Sequence, residues 1–479
     1  MSPSHGVGHH TGLVGQPGDS PERRGQGRWS LLWVIATVAC VFGPYLVGGL
    51  RTEQLALYGS ACVAVVLFRR HLPVLTTGWL VLTLWAAYAL TAATGGIFIE
   101  SRLPWGSGSL VAGLDNALLP LATMTVVAIW TRLLSPSVLL FTASWVVVAA
   151  MAMNGALALL TSLVGIDSLP LLRGFWAASG GGGTVAELAA GSGRYSGVFN
   201  QPAEAGVAYS LAVFCLVYLV RAGTTVPRKA WVALWGLIIV GGLMTLSKIF
   251  VVGGMLIAAG LILTGRPHRL LLSTSAVLTV LVTATLGALG WLGTWGASGM
   301  LGWYVASARA GNSWAYTLSA GRFGSGGNEA TAEQAASSST GGATTGVPDE
   351  LQQPSGLVEL ARQVLIEHPV FGVGAKGLPV SYDSTWIEAI IVAGVVGALL
   401  VLAVHVVLAV QWFRLRQVLP REESRLAGAV VLLAWGSSFG MPSLTGNRES
   451  SLLWIFLALL VVFRRPGSRE DRTPLDSAP

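Results

Sequence analysis

Apolar residues in this chain do not alternate with polar ones; they run together. Stretches of roughly 18–28 largely uncharged residues recur from about position 29 to 463, the length a helix needs to cross about 30 Å of hydrocarbon. The pattern predicts spans at about 29–50, 54–68, 73–94, 114–133, 137–164, 203–220, 229–246, 249–265, 269–292, 385–413, 424–441 and 449–463. The second and last are short, so the expectation is ten to twelve. Composition agrees: 53% of the 479 residues are hydrophobic and 11% are charged, against about 25% charged in soluble domains. An ordinary soluble enzyme, a disordered chain and a single-anchor receptor are all excluded. The expected fold class is all-α, a polytopic helical membrane protein.

Charge then orients the spans. Nineteen of the 29 basic residues, among them Arg69, Arg70, Arg132, Arg221, Arg266, Arg414 and Arg464, fall on one side when loops are assigned alternately. By the positive-inside bias that side is cytoplasmic, which places both termini there and the protein in a plasma membrane. The formal charge of +7 therefore answers to the membrane and not to nucleic acid. Residues 1–28 read as a polar, disordered tail, too long a lead for a cleaved signal peptide, and 464–479 as a second cytoplasmic tail. Helices one to nine occupy 29–292, with an outer loop at 165–202. A large outer loop follows at 293–384, and helices ten to twelve occupy 385–463. Gly324–Ser355 is rich in Gly, Ser, Thr and Ala and reads as a flexible insertion. Positions 357–367 carry apolar residues at helical spacing, which predicts a short amphipathic helix. Cys40, Cys62 and Cys215 all lie in apolar stretches, so neither a disulfide framework nor a metal cluster is visible. No cofactor is expected.

Ionisable groups inside a bilayer are costly and mark function. Asp115, Glu204, Lys248 and Glu388 all sit at the predicted outer edges of spans, whereas His405 lies toward the cytoplasmic part of its span and reads as a bonded core imidazole. Four segments share the outer boundary: Gly193-Arg194-Tyr195-Ser196-Gly197-Val198-Phe199-Asn200-Gln201-Pro202; Thr245-Leu246-Ser247-Lys248; Ser319-Ala320-Gly321-Arg322-Phe323; and Glu367-His368-Pro369-Val370-Phe371-Gly372-Val373-Gly374-Ala375-Lys376-Gly377, which runs on to Asp383 and Glu388.

In order and context these segments resemble the O-antigen ligase and O-antigen polymerase family of bacterial envelope glycosyltransferases. That family has Arg-x-x-Gly-x-Phe-x-x-Pro entering a helix, a Ser-Arg turn, and a periplasmic loop with an Arg and a Pro-x-x-Gly-x-Gly element. The likeness covers about residues 190–400. It implies a GT-C-like fold and transfer of a glycan from a polyprenyl diphosphate carrier to a glycan or lipid hydroxyl at the outer leaflet. Arg194, Lys248, Arg322 and more weakly Lys376 would hold the departing diphosphate, because preorganised cations stabilise that developing charge. Gly372, Gly374 and Gly377 would let backbone approach the glycan. Asp383, His368 or Glu388 would orient or deprotonate the acceptor. Two departures stand out: Lys248 replaces an Arg, and Asp383 stands where the family has a His, which tilts the reading from ligase toward polymerase-like or divergent transfer.

Each residue also has a plainer reading. Arg194 would snorkel to headgroups, Asp383 would cap span ten, His368 would close a turn, and Glu388 would pair with an arginine. The rival function is a twelve-span transporter or exporter of lipid-linked glycan. Single cysteines placed at 194, 248 and 322 should react with an impermeant thiol reagent on whole cells; reaction of any two only from the cytosol would overturn the orientation.

Overall fold

The computed structural model describes residues 21–46, 50–68, 76–98, 110–176, 184–191, 193–224, 227–264, 357–377, 384–446 and 448–462, with single positions at 279, 280, 284 and 309. Arg322, Asp383, the 324–355 insertion, nearly all of the ninth predicted span and the 464–479 tail lie outside the described residues. The described chain is all-helical, and its one β-type feature is an isolated bridge between Tyr45 and Arg51. In order come α1 (Pro21–Cys40), α2 (Thr52–Phe68), α3 (Thr76–Phe98), α4 (Leu110–Leu133) and α5 (Pro136–Val164). Next are α6 (Val185–Gly191), α7 (Pro202–Arg221), α8 (Arg228–Met244), a π-helical segment (Ile249–Gly254) and α9 (Met255–Thr264). The last are α10 (Leu357–Glu367), α11 (Thr385–Leu415), α12 (Arg421–Ser437) and α13 (Arg448–Val462). Five of these, within α3, α4, α5, α7 and α11, are long and apolar enough to cross a membrane; parts of α1, α2 and α8, and the π segment with α9, form shorter apolar helices. The amphipathic helix expected at 357–367 is α10.

The centre of the bundle is α7. Proline at its first turn supplies a preset φ where no N–H is needed, and from Glu204 to Leu219 every side chain is buried. A helix apolar all round belongs inside a bundle. Around it pack α5, α8, α9, α12 and α13, while α11 lies along α3 and α13 along α4. Helices α5 and α8 approach closely because Gly155 faces the Leu237 carbonyl and Gly241 faces Gly155, the small-residue contact that lets helix backbones meet in lipid.

Two expectations about the spans are corrected. The first apolar run does not stay helical to position 50; α1 ends at Cys40, and the described residues 41–46 and 50–51 are non-helical, with a Pro44 that cannot continue a helix. At its other end α1 begins at Pro21, inside the segment read as tail. The tenth span is not one straight rod. Gly394 has φ +61 and ψ −153 inside α11, and the two arms fold back on each other. Trp386 of the first arm stacks on His405 of the second with ring centroids 5.2 Å apart, whereas a straight helix would separate them by about 28 Å.

Breaking a helix exposes backbone groups that a dry interior cannot leave unbonded. Here Pro369–Gly374 supplies the partners. Val373 and Gly374 N–H groups donate to the Ile391 and Val392 carbonyls at 2.8 and 2.9 Å, and Val395 and Val396 N–H groups donate to the Pro369 and Val370 carbonyls at 2.9 and 3.3 Å. A Cβ on Gly372 would run into the Ile391 carbonyl, and one on Gly394 into Val370, and both residues have positive φ. Gly372→Ala and Gly394→Ala should each cost about 1–3 kcal/mol, read as earlier unfolding in mild detergent. Gly260→Ala, where an added methyl meets nothing within 4 Å, should unfold as the parent does.

Candidate functional site

Described parts of four connections converge on one end of the bundle: 41–46 with 50–51, 165–176 with 193–201, 245–248, and 438–446. The 193–201 loop is anchored almost residue by residue. Arg194 N–H donates to the Ala189 carbonyl and Tyr195 N–H to that of Met244, both at 2.9 Å. Asn154, buried on α5, accepts from Val198 N–H at 2.8 Å and donates to the Ser196 carbonyl at 3.2 Å. Trp176 Nε1 donates to the Gly197 carbonyl at 2.9 Å, and Asn200 Nδ2 donates to the Tyr45 hydroxyl at 2.7 Å. Burial, more than any other influence, pushes the Tyr45 hydroxyl above its ordinary range, and the Asn200 bond opposes this.

The structure brings together the first two segments singled out in the sequence. Arg194 Nε donates to the Thr245 carbonyl at 3.2 Å, so the half-buried Arg194 lies against the turn that carries the half-buried Lys248. That turn is unusual in itself. Leu246 has φ +50, the one non-glycine residue with positive φ among those described, and the π-helical segment starts directly after Lys248. Left-handed non-glycine backbone and π-helical turns both cost energy and concentrate at functional sites.

The fourth segment reaches the same end by a different route. Gly372 and Gly374 approach the chain's own backbone at α11, and positions 374 and 375 press on Gly95 of α3 and Gly113 of α4. Lys376 and Gly377 follow in a 3-10 turn, with Lys376 half-buried. His368 ends α10: its N–H donates to Val364 and its carbonyl accepts from Gly372 N–H. Glu388, 2% exposed in the first turn of α11, faces Thr445 and Tyr88; Arg322, one of the arginines expected beside it, lies outside the described residues. His405 is the bonded core imidazole expected, with Nδ1 2.9 Å from the Val401 carbonyl and Nε2 3.2 Å from Ser438 Oγ. The fold of α11, however, sets it beside that helix's own first turn.

Sequence reasoning missed the most heavily charged part of this end. Arg51 Nη1 pairs with Glu53 Oε1 at 2.8 Å, and its Nη2 donates to Asp115 Oδ2 at 2.7 Å. Asp115 also accepts from Gln54 Nε2 at 2.5 Å and Tyr58 hydroxyl at 2.8 Å. Burial works against the Arg51 charge, but Glu53 and Asp115 outweigh it and hold the guanidinium more firmly protonated than usual. Glu449, at the head of α13, lies within electrostatic reach of Glu204, Glu53 and Arg51, and Glu53 and Glu449 are each 1% exposed. Among the described residues no three acidic, histidine or cysteine side chains converge as metal ligands. The available signal was charge clustered beside short loops, in Arg51-Thr52-Glu53-Gln54 and Arg448-Glu449. Removing one partner of a buried pair strands the other. Arg51→Met should therefore cost about 3–5 kcal/mol in detergent unfolding, and adding Glu53→Met should recover part of that loss.

Among known proteins, no family model matches this chain and no curated protein is significantly similar to it.

Proposed function

We propose that this chain is a membrane glycosyltransferase that ligates or polymerises a polyprenyl-diphosphate-linked glycan onto an acceptor hydroxyl at the outer face of the plasma membrane. The observation that carries the reading is the corner where Arg194 bonds the Thr245 carbonyl beside Lys248, between a left-handed Leu246 and a π-helical turn. Two cations on a strained, tightly anchored scaffold suit a leaving group that gathers negative charge only as its bond to the sugar breaks, because fixed donors then need no rearrangement.

In this mechanism the lipid-linked donor slides in laterally between helices. Arg194 and Lys248, joined by Arg322 and more weakly by Lys376, hold the diphosphate. An acceptor hydroxyl attacks the anomeric carbon as the carrier departs. Its proton passes to Asp383 or His368. The burial of Glu388 against Thr445 and Tyr88 suits it to orienting α11 rather than touching a bulky acceptor. Ten to twelve spans with cytoplasmic termini and a GT-C-like arrangement complete the reading.

One observation favours a second reading, a transporter or exporter of lipid-linked glycan. The break at Gly394 leaves two half-helices meeting inside the protein, as discontinuous helices do at transporter substrate sites. The two readings part on the fate of the substrate. With purified protein in vesicles, Arg194→Ala and Lys248→Ala should each slow glycan joining by about 100-fold or more, with normal protein levels and normal delivery of donor to the outer leaflet. Substrate trapped on the cytoplasmic side would favour transport. Transfer that survives loss of both Arg194 and Arg322, or that depends strictly on a divalent ion, would refute the transferase.

A further inference from the structure

Arg448, the first residue of α13, is 1% exposed and is among the largest fully buried side chains. Its guanidinium is spent on backbone. Nη2 donates to the Gly43 carbonyl at 2.6 Å, and Nη1 donates to the Phe175 carbonyl at 2.9 Å and to the Val198 carbonyl. The Tyr45 ring lies beneath it, 5.3 Å from centroid to Cζ. Those three carbonyls belong to three separate stretches of chain, 41–46, the 165–176 segment after α5, and the 193–201 loop that carries Arg194. Tyr45 in turn accepts from Asn200 of that same loop. Val198 is thus held at both its backbone groups: its N–H donates to Asn154 and its carbonyl accepts from Arg448.

A buried cation is a poor way to gain stability, since apolar residues of similar volume do as well or better. What the arginine fork offers is direction: several donors in one plane, fixed relative to each other, which a lysine ammonium lacks. We infer that Arg448 is a positioning residue for the proposed transfer, holding the 193–201 loop, and Arg194 with it, in the register that the diphosphate requires. This rests on the reading of Arg194 as a diphosphate ligand. The guanidinium acts through the loop backbone and touches no substrate.

The test uses full-length protein in native membranes, with Gln201→Cys as a reporter at the end of the loop. Arg448→Lys and Arg448→Met should both raise labelling of the thiol at 201 by an impermeant maleimide several-fold. Both should lower kcat/KM per folded molecule by about 100-fold, the scale of a small misplacement at a reacting centre. Lysine should rescue neither readout. Adding Arg194→Ala to Arg448→Lys should lower transfer little further, because the two act on one interaction. A merely structural role would reduce the amount of protein and leave activity per folded molecule unchanged. Full activity per molecule with parent-like labelling in Arg448→Lys overturns the inference. Full transfer by Arg194→Ala sinks the transferase reading instead, and the labelling alone then decides whether Arg448 sets the loop. If Arg448→Lys does not accumulate, Tyr45→Phe decides: it keeps the ring and removes the hydroxyl that accepts from Asn200, and unchanged labelling in it counts against the inference.

Discussion

A peptide N–H or carbonyl placed where water cannot reach must find a partner in the protein, and much of this architecture follows from that requirement. Regular helices meet it internally. The chain departs from regular helix inside the bundle at Gly394, at the turn before the π segment, and along the buried 196–200 stretch. Each departure has its own set of partners. Pro369–Gly374 supplies two donors and two acceptors to the broken α11, while Asn154, Trp176 and Arg448 bond the 193–201 loop. The glycines of the Pro-x-x-Gly-x-Gly element make sense on this basis: Gly372 lies against Ile391, Ala393 and Gly394 of α11, and Gly374 lies against Gly95 of α3.

The same economy of partners shapes the charges. Asp115 receives three side-chain donors and Arg51 bridges two carboxylates, so these groups tie α2 and the preceding loop to α4. Glu204 and Glu449 bring the heads of α7 and α13 into the same electrostatic neighbourhood. Buried ion pairs contribute little net stability compared with apolar packing; they reward one arrangement of the loops over others. A bundle of apolar helices has many near-equivalent ways to rotate and slide, and a net of directional contacts at one end removes most of them. Arg194 and Lys248, half-buried on a strained corner, are carried by that fixed end.

The helices themselves were legible in advance because hydrocarbon thickness sets a length that appears in one dimension as an uncharged run. The small amphipathic helix at 357–367 was legible for a similar reason, its period being local. The meeting of Arg194 with the Lys248 turn could be anticipated only as a shared boundary, since depth can be read from a span's edge but lateral position cannot. The buried Arg51, Glu53, Arg448 and Glu449 escaped notice because they stand at helix starts beside short loops, where charge normally means solvent. The apolar positions 41–46 misled in the opposite sense: their hydrophobicity extended a span on paper, yet in the fold they are non-helical, with Val41 buried and Tyr45 half-buried beneath Arg448.

The amino-acid sequence by itself determined an all-helical chain of apolar segments and gathered Arg194, Lys248, Glu204 and Glu388 at segment edges, because burial and charge are properties of each residue and add along the chain. Only the tertiary structure decided that α11 doubles back at Gly394, that a glycine element seals the break, and that Arg448 joins Gly43, Phe175 and Val198. Those outcomes depend on which carbonyl lies within bonding distance of which donor across hundreds of residues. Such pairings have no period and no local composition, and they exist only once the helices are in place.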